Sequence, residues 1–244
     1  MHNTRPFNIW DALKILALLL MFADHAGAYF YMKENWLRSI GRGAAPIFLF
    51  LAGYASSYRF NWEIFILACA MTVSNWFQGF YFSPLNILFT ILMCRAVLGW
   101  MDKRGKVITK PWEWLVALCF FAIPTNFLFE YGTLGFLIAL YGYMKHRPDR
   151  YPQPLPNRML AATLIYYGPF FVLMFMMTNI PAILLMIPVL FGIYWLLTRF
   201  EIRPIHMKNS PAWCTGLLTL TARYSGYIYA IHLIVISWIT HFPI

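Results

Sequence analysis

The chain has 244 residues, 61% of them hydrophobic and 11% charged, with a net charge of +10. An ordinary soluble domain is about 25% charged, and nineteen Lys and Arg with nine Asp and Glu cannot coat a globule of this size, which argues against a water-soluble enzyme. Aromatic residues at 19% exclude a disordered chain. What remains is an all-α, polytopic integral membrane helical bundle. A helix needs about 20 residues to cross the hydrocarbon core, so about nine transmembrane helices, within a range of eight to ten, use most of the chain. Residues 1–244 are therefore expected to form a single membrane-embedded domain. The excess of positive charge fits basic cytoplasmic loops. No long basic run or recognition helix points to nucleic acid. Cys69, Cys94, Cys119 and Cys214 form no CxxC pair and read as small apolar residues, with neither a disulfide framework nor a metal site expected.

The apolar runs predict spans at Ile9 to Tyr31, Gly43 to Phe60, Trp62 to Phe80, Pro84 to Met101, Trp112 to Phe129 and Tyr131 to Lys145. Three more follow at Arg158 to Met177, Ile180 to Leu197 and Leu217 to Ile239. The weakest points are the short sixth run and the tight joints at Asn61 and Asn179. Pro46, Pro124, Pro169, Pro181 and Pro188 fall within runs and predict kinks or breaks. The first run is too long and too charged for a cleavable signal. The loops after the fourth, sixth and eighth spans carry Lys103, Arg104, Lys106 and Lys110, then Lys145, Arg147, Arg150 and Arg158, then Arg199, Arg203, Lys208 and Arg223. These loops, with Arg5, are expected in the cytoplasm, so the chain would start there and end in the periplasm. Lys33, Arg38 and Arg42 disobey: they would face outward unless they have another role or their loop folds back into the protein. The Pro-rich stretch from Tyr151 to Pro156 reads as an extended loop. No internal repeat marks a duplicated transporter.

The first span concentrates the chemistry. Asp11, Lys14, Asp24 and His25 are costly on a membrane helix, and such groups usually face a bundle interior and mark a site. Lys14 and His25 are eleven residues apart, about 20° beyond three full turns and about 16 Å along the axis. One face thus presents a cation near the cytoplasmic surface and an imidazole deep in the bilayer, a spacing suited to a long ligand with an anionic head and a reactive far end. Snorkelling alone would account for Lys14 but not for the Asp24-His25 dipeptide. Asp24 either orients the ring or neutralises Arg42, which lies in the small-residue segment from Gly41 to Tyr54 and is able to hold a carboxylate or phosphate by two parallel bonds. In the last span Ser225, Tyr229 and His232 share one stripe. His241 falls on the opposite face, and His2, His146 and His206 fall in loops. Asn75, Gln78, Asn86 and Glu130 are weaker candidates, since polar side chains also join helices; Asn86 stands out because it opens a span. There is no P-loop, GxGxxG, HExxH or nucleophile elbow.

At these positions the sequence resembles a known group. Lys14 and His25 are similar to the Arg-x10-His signature of the acyltransferase 3 superfamily, with Lys replacing Arg. The run from Pro46 to Gly53 resembles that superfamily's second-span pattern, and Tyr229-Ala-Ile-His232 its late Tyr-x-x-His element. Closer is the resemblance to the TraX family, carried in order by Asp11-Ala-Leu-Lys14, Leu20-Met-Phe-Ala-Asp24-His25, Gly41-Arg42-Gly-Ala-Ala-Pro46, Asn86-Ile-Leu-Phe, Tyr131-Gly132-x-x-Gly135 and Tyr229-Ala-x-His232. The loops do not match. The resemblance implies a bacterial inner-membrane acetyltransferase that draws on cytoplasmic acetyl-CoA and acetylates the amino terminus of a pilin subunit. In that scheme His25, Asp24 and His232 are candidate catalytic residues. Lys14, Arg42 and Asn86 are candidates for holding acetyl-CoA, and Asp11, Ser225 and Tyr229 for the acceptor. Besides acetyl-CoA and membrane lipids, the partner would be pilin or another membrane-accessible acceptor, such as a glycan, a lipid or a different protein. Intramembrane His and Asp also build proton relays, so a proton-coupled transporter is one rival reading, and a non-catalytic pilus assembly factor is another.

Overall fold

The computed structural model describes residues 6–31, 35–81, 83–105, 108–174, 179–205 and 211–241. His2, Arg5, Lys33, Lys106, His206, Lys208 and the side chain of His241 lie outside that description. Among the described residues there are twelve helices and no strand. They are α1 (Ile9–Tyr29), α2 (Asn35–Gly41), α3 (Ala44–Tyr54), α4 (Trp62–Phe77), α5 (Ile87–Lys103) and α6 (Pro111–Phe120). After them come α7 (Ala122–Asn126), α8 (Gly132–Lys145), α9 (Leu155–Met174), α10 (Ile180–Thr198), α11 (Ala212–Arg223) and α12 (Ser225–His241).

Asparagine starts four of these helices. A side-chain carbonyl at the N-cap accepts one of the N–H groups that a helix start leaves unpaired. Asn8 serves Asp11, Asn61 serves Ile64, Asn86 serves Leu88 and Asn179 serves Ala182, at 3.0–3.3 Å. The joints at Asn61 and Asn179 are therefore well-formed helix starts. Proline lacks the N–H and suits a first turn. Pro46 accordingly sits just inside α3, behind the break at Arg42 and Gly43, and Pro181 opens α10. Pro124 lies in α7, behind the break at Phe121, whereas Pro169 and Pro188 remain inside continuous helices. The second apolar run begins at Asn35 instead of Gly43, because α2 folds back along α1 and is packed against it. Arg38 thus lies on α2 and Arg42 in the tight break that follows it, both bordering an internal cavity and not an outer loop. The ninth run is two helices meeting at Tyr224.

Helix α8 is the axis. Nearly all of its residues are buried, and α3, α5, α6, α7 and α9 pack around it. Enclosure on every side explains why this run is short. Its closest neighbour is α3, where a Cβ on Gly53 would lie 1.7 Å from the Ala139 carbonyl oxygen and one on Gly142 would lie 2.3 Å from that of Phe50. Small residues that let helix backbones touch are a common device of membrane bundles.

The surface is inverted relative to a soluble protein. Phe77, Phe120, Ile165, Ile187 and Phe191 each stand at least 65% exposed, while Asp11, Ser39, Arg42, Gln78 and Asn86 are buried. A water-facing monomer rarely exposes large contiguous apolar area, and charges kept inside an apolar exterior fit a membrane protein. By its own length and apolarity, Ile180–Thr198 is the one described helix that meets the requirement for a crossing; Trp62–Phe77, Pro111–Phe120 and Ser225–Thr240 are apolar but shorter.

One end of the bundle gathers the basic connections. Ile9 N–H donates to the Arg203 carbonyl at 3.0 Å, and Lys145 Nζ to that of Thr198 at 2.5 Å. Arg147 pairs with Asp102 at 2.9 Å and stacks over the Tyr143 ring at 4.0 Å.

Two stability changes follow. Gly53→Ala should lower stability by about 1–3 kcal/mol, the cost of overpacking, whereas Gly192→Ala, whose new methyl group meets nothing within 4 Å, should leave the melting temperature in detergent unchanged; equal melting of the two would refute the α3–α8 contact. Arg42→Met removes one partner of the buried Arg42–Asp24 pair (3.4 Å; side chains 5% and 13% exposed). It should cost about 3–5 kcal/mol, and adding Asp24→Asn should recover part of that loss. A thermal double-mutant cycle with zero coupling would dismiss the pair.

Candidate active site

The site begins on α1, where Lys14 and His25 border one cavity of about 320 Å³. Arg95 and Arg223 line it too. Arg95 donates to the carbonyls of Ser57 and Arg59, just beyond α3, and Arg223 ends α11. A second cavity, also about 320 Å³, is bordered by Tyr29, Arg38, Arg42, Asn75 and Asn86, among others. The two share Asp24, His25, Glu130, Tyr131 and Tyr229. His25 therefore stands where they meet.

With both imidazoles neutral, their hydrogen-bond partners fix where each proton sits. His232 Nδ1 lies 2.9 Å from the carbonyl oxygen of Ile228, one turn back along α12. A carbonyl only accepts, so Nδ1 carries the hydrogen and Nε2 keeps a lone pair. His25 Nδ1 is 2.7 Å from that Nε2 and must be the donor. The Nε2 of His25 is thereby left with a lone pair. The rings stack at 4.9 Å and 28°, and Phe22 packs edge-on against His232 at 4.6 Å. His232 borders neither cavity; it reaches them through His25, as a residue that orients its neighbour.

Asp24 faces the other way, toward α2. A Cβ on Gly41 would lie 2.4 Å from that of Asp24, so only glycine admits this approach. It brings Arg42 alongside the carboxylate. The Arg42 carbonyl accepts from Tyr167 at 3.0 Å, and its guanidinium lies 4.9 Å from the Phe171 ring centre. Of the two roles open to Asp24, neutralising Arg42 is the one this geometry favours.

Leu85 bridges the segment before α8: its N–H donates to the Leu128 carbonyl at 2.9 Å, and the Glu130 N–H donates to the Leu85 carbonyl at 2.8 Å. Oε2 of Glu130 accepts from the Ile87 N–H at 2.9 Å, at the start of α5. Tyr131 beside it has φ 68°, a strained value for a bulky residue, and its N–H is held by Asn126 at 3.1 Å.

The residues singled out from the sequence divide into groups. Lys14, His25, Ser225 and Tyr229 come together at the first cavity. Arg42 and Asn86 stand instead at the second, on the far side of His25 from Lys14. Asn86 spends its amide on structure: besides capping α5 it donates to the Ala68 carbonyl at 2.9 Å and to Thr72 at 3.2 Å. Asp11 is fully buried in the first turn of α1 and borders neither cavity. Arg95, Tyr29 and Arg38 join the walls although the sequence does not mark them as site residues. A cation inside an apolar run was the available signal for Arg95.

Comparison with known proteins places this constellation. The TraX protein family matches residues 10–240, which include every residue of the junction. The chain is 27% identical over 164 residues to Protein TraX of Escherichia coli, covering 59% of this chain and 61% of that protein. With Protein TraX of Escherichia coli strain K12 it shares 27% over 172 residues, 65% and 64% of the two. With an uncharacterized protein, RP591, of Rickettsia prowazekii strain Madrid E it shares 28% over 143 residues, 56% of each. The matched region thus spans 61–64% of the length of the two TraX relatives. No solved structure matches. The chain belongs to the TraX family.

Proposed function

We propose that this chain is an integral membrane acetyltransferase of the acyltransferase 3 superfamily, transferring the acetyl group of cytoplasmic acetyl-CoA to the amino terminus of a pilin subunit. The observation that carries the reading is the lone pair on His25 Nε2, directed by the hydrogen-bonded His232, at the meeting point of two cavities. Taking α2 with α3, α6 with α7 and α11 with α12 as broken crossings, the twelve helices give about nine passes. The basic end is then cytoplasmic, the chain starts there, and it ends in the periplasm across the bacterial inner membrane.

The donor enters by the cavity that holds Lys14, Arg95 and Arg223, whose charges suit its phosphates. Its pantetheine arm covers the ~16 Å from Lys14 to His25. The acceptor enters by the second cavity. Its nucleophile attacks the thioester carbonyl carbon while His25 Nε2 takes the nucleophile's proton. The C–S bond breaks, and the thiolate leaves as CoA after receiving that proton from His25. His232 holds His25 in the tautomer with its lone pair at Nε2 and shares the transient positive charge. Tyr229 and Ser225 border the donor path, and Asn86 braces the acceptor side.

The test uses the full chain in nanodiscs, labelled acetyl-CoA and a peptide carrying the pilin amino terminus. Free CoA should appear only with acceptor, and the peptide should gain one acetyl mass. His25→Ala should reduce the rate at least ~100-fold; undiminished transfer would remove His25 from the chemistry. His232→Ala should lower kcat more than ~10-fold with little change in KM for acetyl-CoA, and His232→Gln, which still offers an acceptor, should recover part of it. Equal loss in both variants would leave His232 a packing role.

A proton-coupled carrier is the second reading, favoured by the same layout of two cavities joined at an ionisable pair. It requires movement of a solute with no acceptor-dependent CoA release, so the nanodisc assay separates the two.

A further inference from the structure

Amines and hydroxyls differ in how many protons they must lose. A hydroxyl gives up one as it is acylated. A protonated amine gives up two, one to become nucleophilic and one as the amide forms. A site with a single base suits the first, and a site with two suits the second. The junction holds His25 and Glu130, both of which border both cavities.

The Glu130 carboxylate is anchored by one oxygen only. Oε2 accepts from the Ile87 N–H, while the backbone carbonyl of Glu130 takes the Thr90 hydroxyl at 2.6 Å. Oε1 has no hydrogen-bond partner among the described residues. Around the carboxylate, α1 presents Asp24, His25 and Tyr29, and α2 with its following break presents Arg38 and Arg42. Tyr131 adjoins it in the chain, and α12 brings Tyr229. Arg42 pairs with Asp24 at 3.4 Å and its charge also acts on Glu130, while the carboxylate still borders both cavities, where a cation from outside can reach it. A cap for α5 needs only Oε2.

Resting on the acetyltransferase reading, we infer that Glu130 is the acceptor-side base that selects an amine: its carboxylate binds the acceptor's ammonium and removes the first proton. In the balanced sequence, R–NH3+ gives one proton to Glu130. The resulting R–NH2 attacks the thioester carbonyl carbon, and His25 takes the second proton as the C–N bond forms. The C–S bond breaks and His25 returns that proton to the thiolate. Glu130 releases the first proton to the acceptor cavity. The sum is R–NH3+ and acetyl-CoA giving the N-acetyl product, CoA and one H+.

The experiment compares wild type and Glu130→Gln in nanodiscs with the amino-terminal pilin peptide from pH 6 to 9. Glutamine still accepts from Ile87 but takes no proton, so the variant must recruit the free amine from solution. With an α-amine pKa of about 8, its kcat/KM should fall ~10-fold per pH unit below that value and ~100-fold at pH 6, whereas wild type should stay nearly level. Parallel profiles for the two proteins overturn the assignment of Glu130 while leaving acetyl transfer intact. No acceptor-dependent CoA release from wild type at any pH overturns the acetyltransferase reading itself. A measurement on wild type alone covers a variant that fails to fold. At pH 6.5 and without donor, the amine peptide should bind at least ~10-fold tighter than its isostere with a terminal hydroxyl, as expected for a charge-assisted hydrogen bond. Equal affinities count decisively against an ammonium site.

Discussion

An arginine with little access to water has to meet a carboxylate, because an isolated charge in a low-dielectric interior is far more costly than a paired one. Arg42 meets Asp24, and the rest of the site is arranged around that necessity. The pair is reachable only because Gly41 lets α2 lie against the backbone of α1. It places the break between α2 and α3 beside the middle of α1, and so sets where α3 begins. From there α3 runs against α8 with Gly53 and Gly142 in backbone contact. The start of α8 carries Glu130 and Tyr131 back to the level of Asp24. His25, one residue beyond Asp24 and about 100° around the helix, then faces α12 and the cavities instead of α2.

The two histidines come from opposite ends of the sequence, and what holds α12 in place therefore matters as much as what holds α1. The attachment is polar. Gln78 donates to Ser74 and to Ser237 at 3.2 and 3.0 Å, and the Trp238 indole donates to Ser74 at 2.8 Å. Such bonds join helices where apolar contact with a neighbour is no better than contact with lipid. The Ile228 carbonyl that fixes the tautomer of His232 belongs to the same helix, so the proton arrangement of the pair is set locally on α12 and transmitted to α1 through one hydrogen bond.

Much of this was legible in the sequence, and what was not has physical reasons. Helix positions follow from apolar run length, and the all-α class needs nothing more. The shared face of Lys14 and His25 follows from the helical period, and the two do border one cavity. The stripe of Ser225, Tyr229 and His232 was equally readable. Asn61 and Asn179 read as tight joints in the sequence because an N-cap and a turn use the same residue types. In the sequence Arg38 and Arg42 read as loop charges misplaced by topology; only the fold shows that α2 and the break after it carry them into the interior. The sequence groups Arg42 and Asn86 with Lys14, yet their side of His25 depends on how α2 and α5 pack, which no local pattern encodes. Glu130 stands out little in the sequence for a similar reason. Its partner Ile87 is 43 residues away, and the bond arises where Leu85 bridges the segment before α8. The proposed count of about nine crossings rests on joining broken helices into pairs, since among the described residues one helix alone has the length and apolarity to qualify by itself.

On the acetyltransferase reading, the placement of His25 between two cavities also meets a constraint of the membrane. A water-filled passage open at both ends would let protons and ions run down their gradients, so donor and acceptor compartments have to touch without merging. The shared wall contains three bulky or charged side chains besides the histidine and Asp24: Glu130, Tyr131 and Tyr229. Tyr229 is held with its ring 6.3 Å from that of His25, and Tyr131 is held in its left-handed backbone conformation by Asn126. An acetyl group is two carbons long and needs only to be handed across such a wall, whereas CoA and a protein chain are far too large to follow it. The same closure limits water at the thioester, which favours transfer over hydrolysis. On that reading the left-handed backbone of Tyr131 has a use: it sets an aromatic ring, and the carboxylate before it, in the wall that the two cavities share.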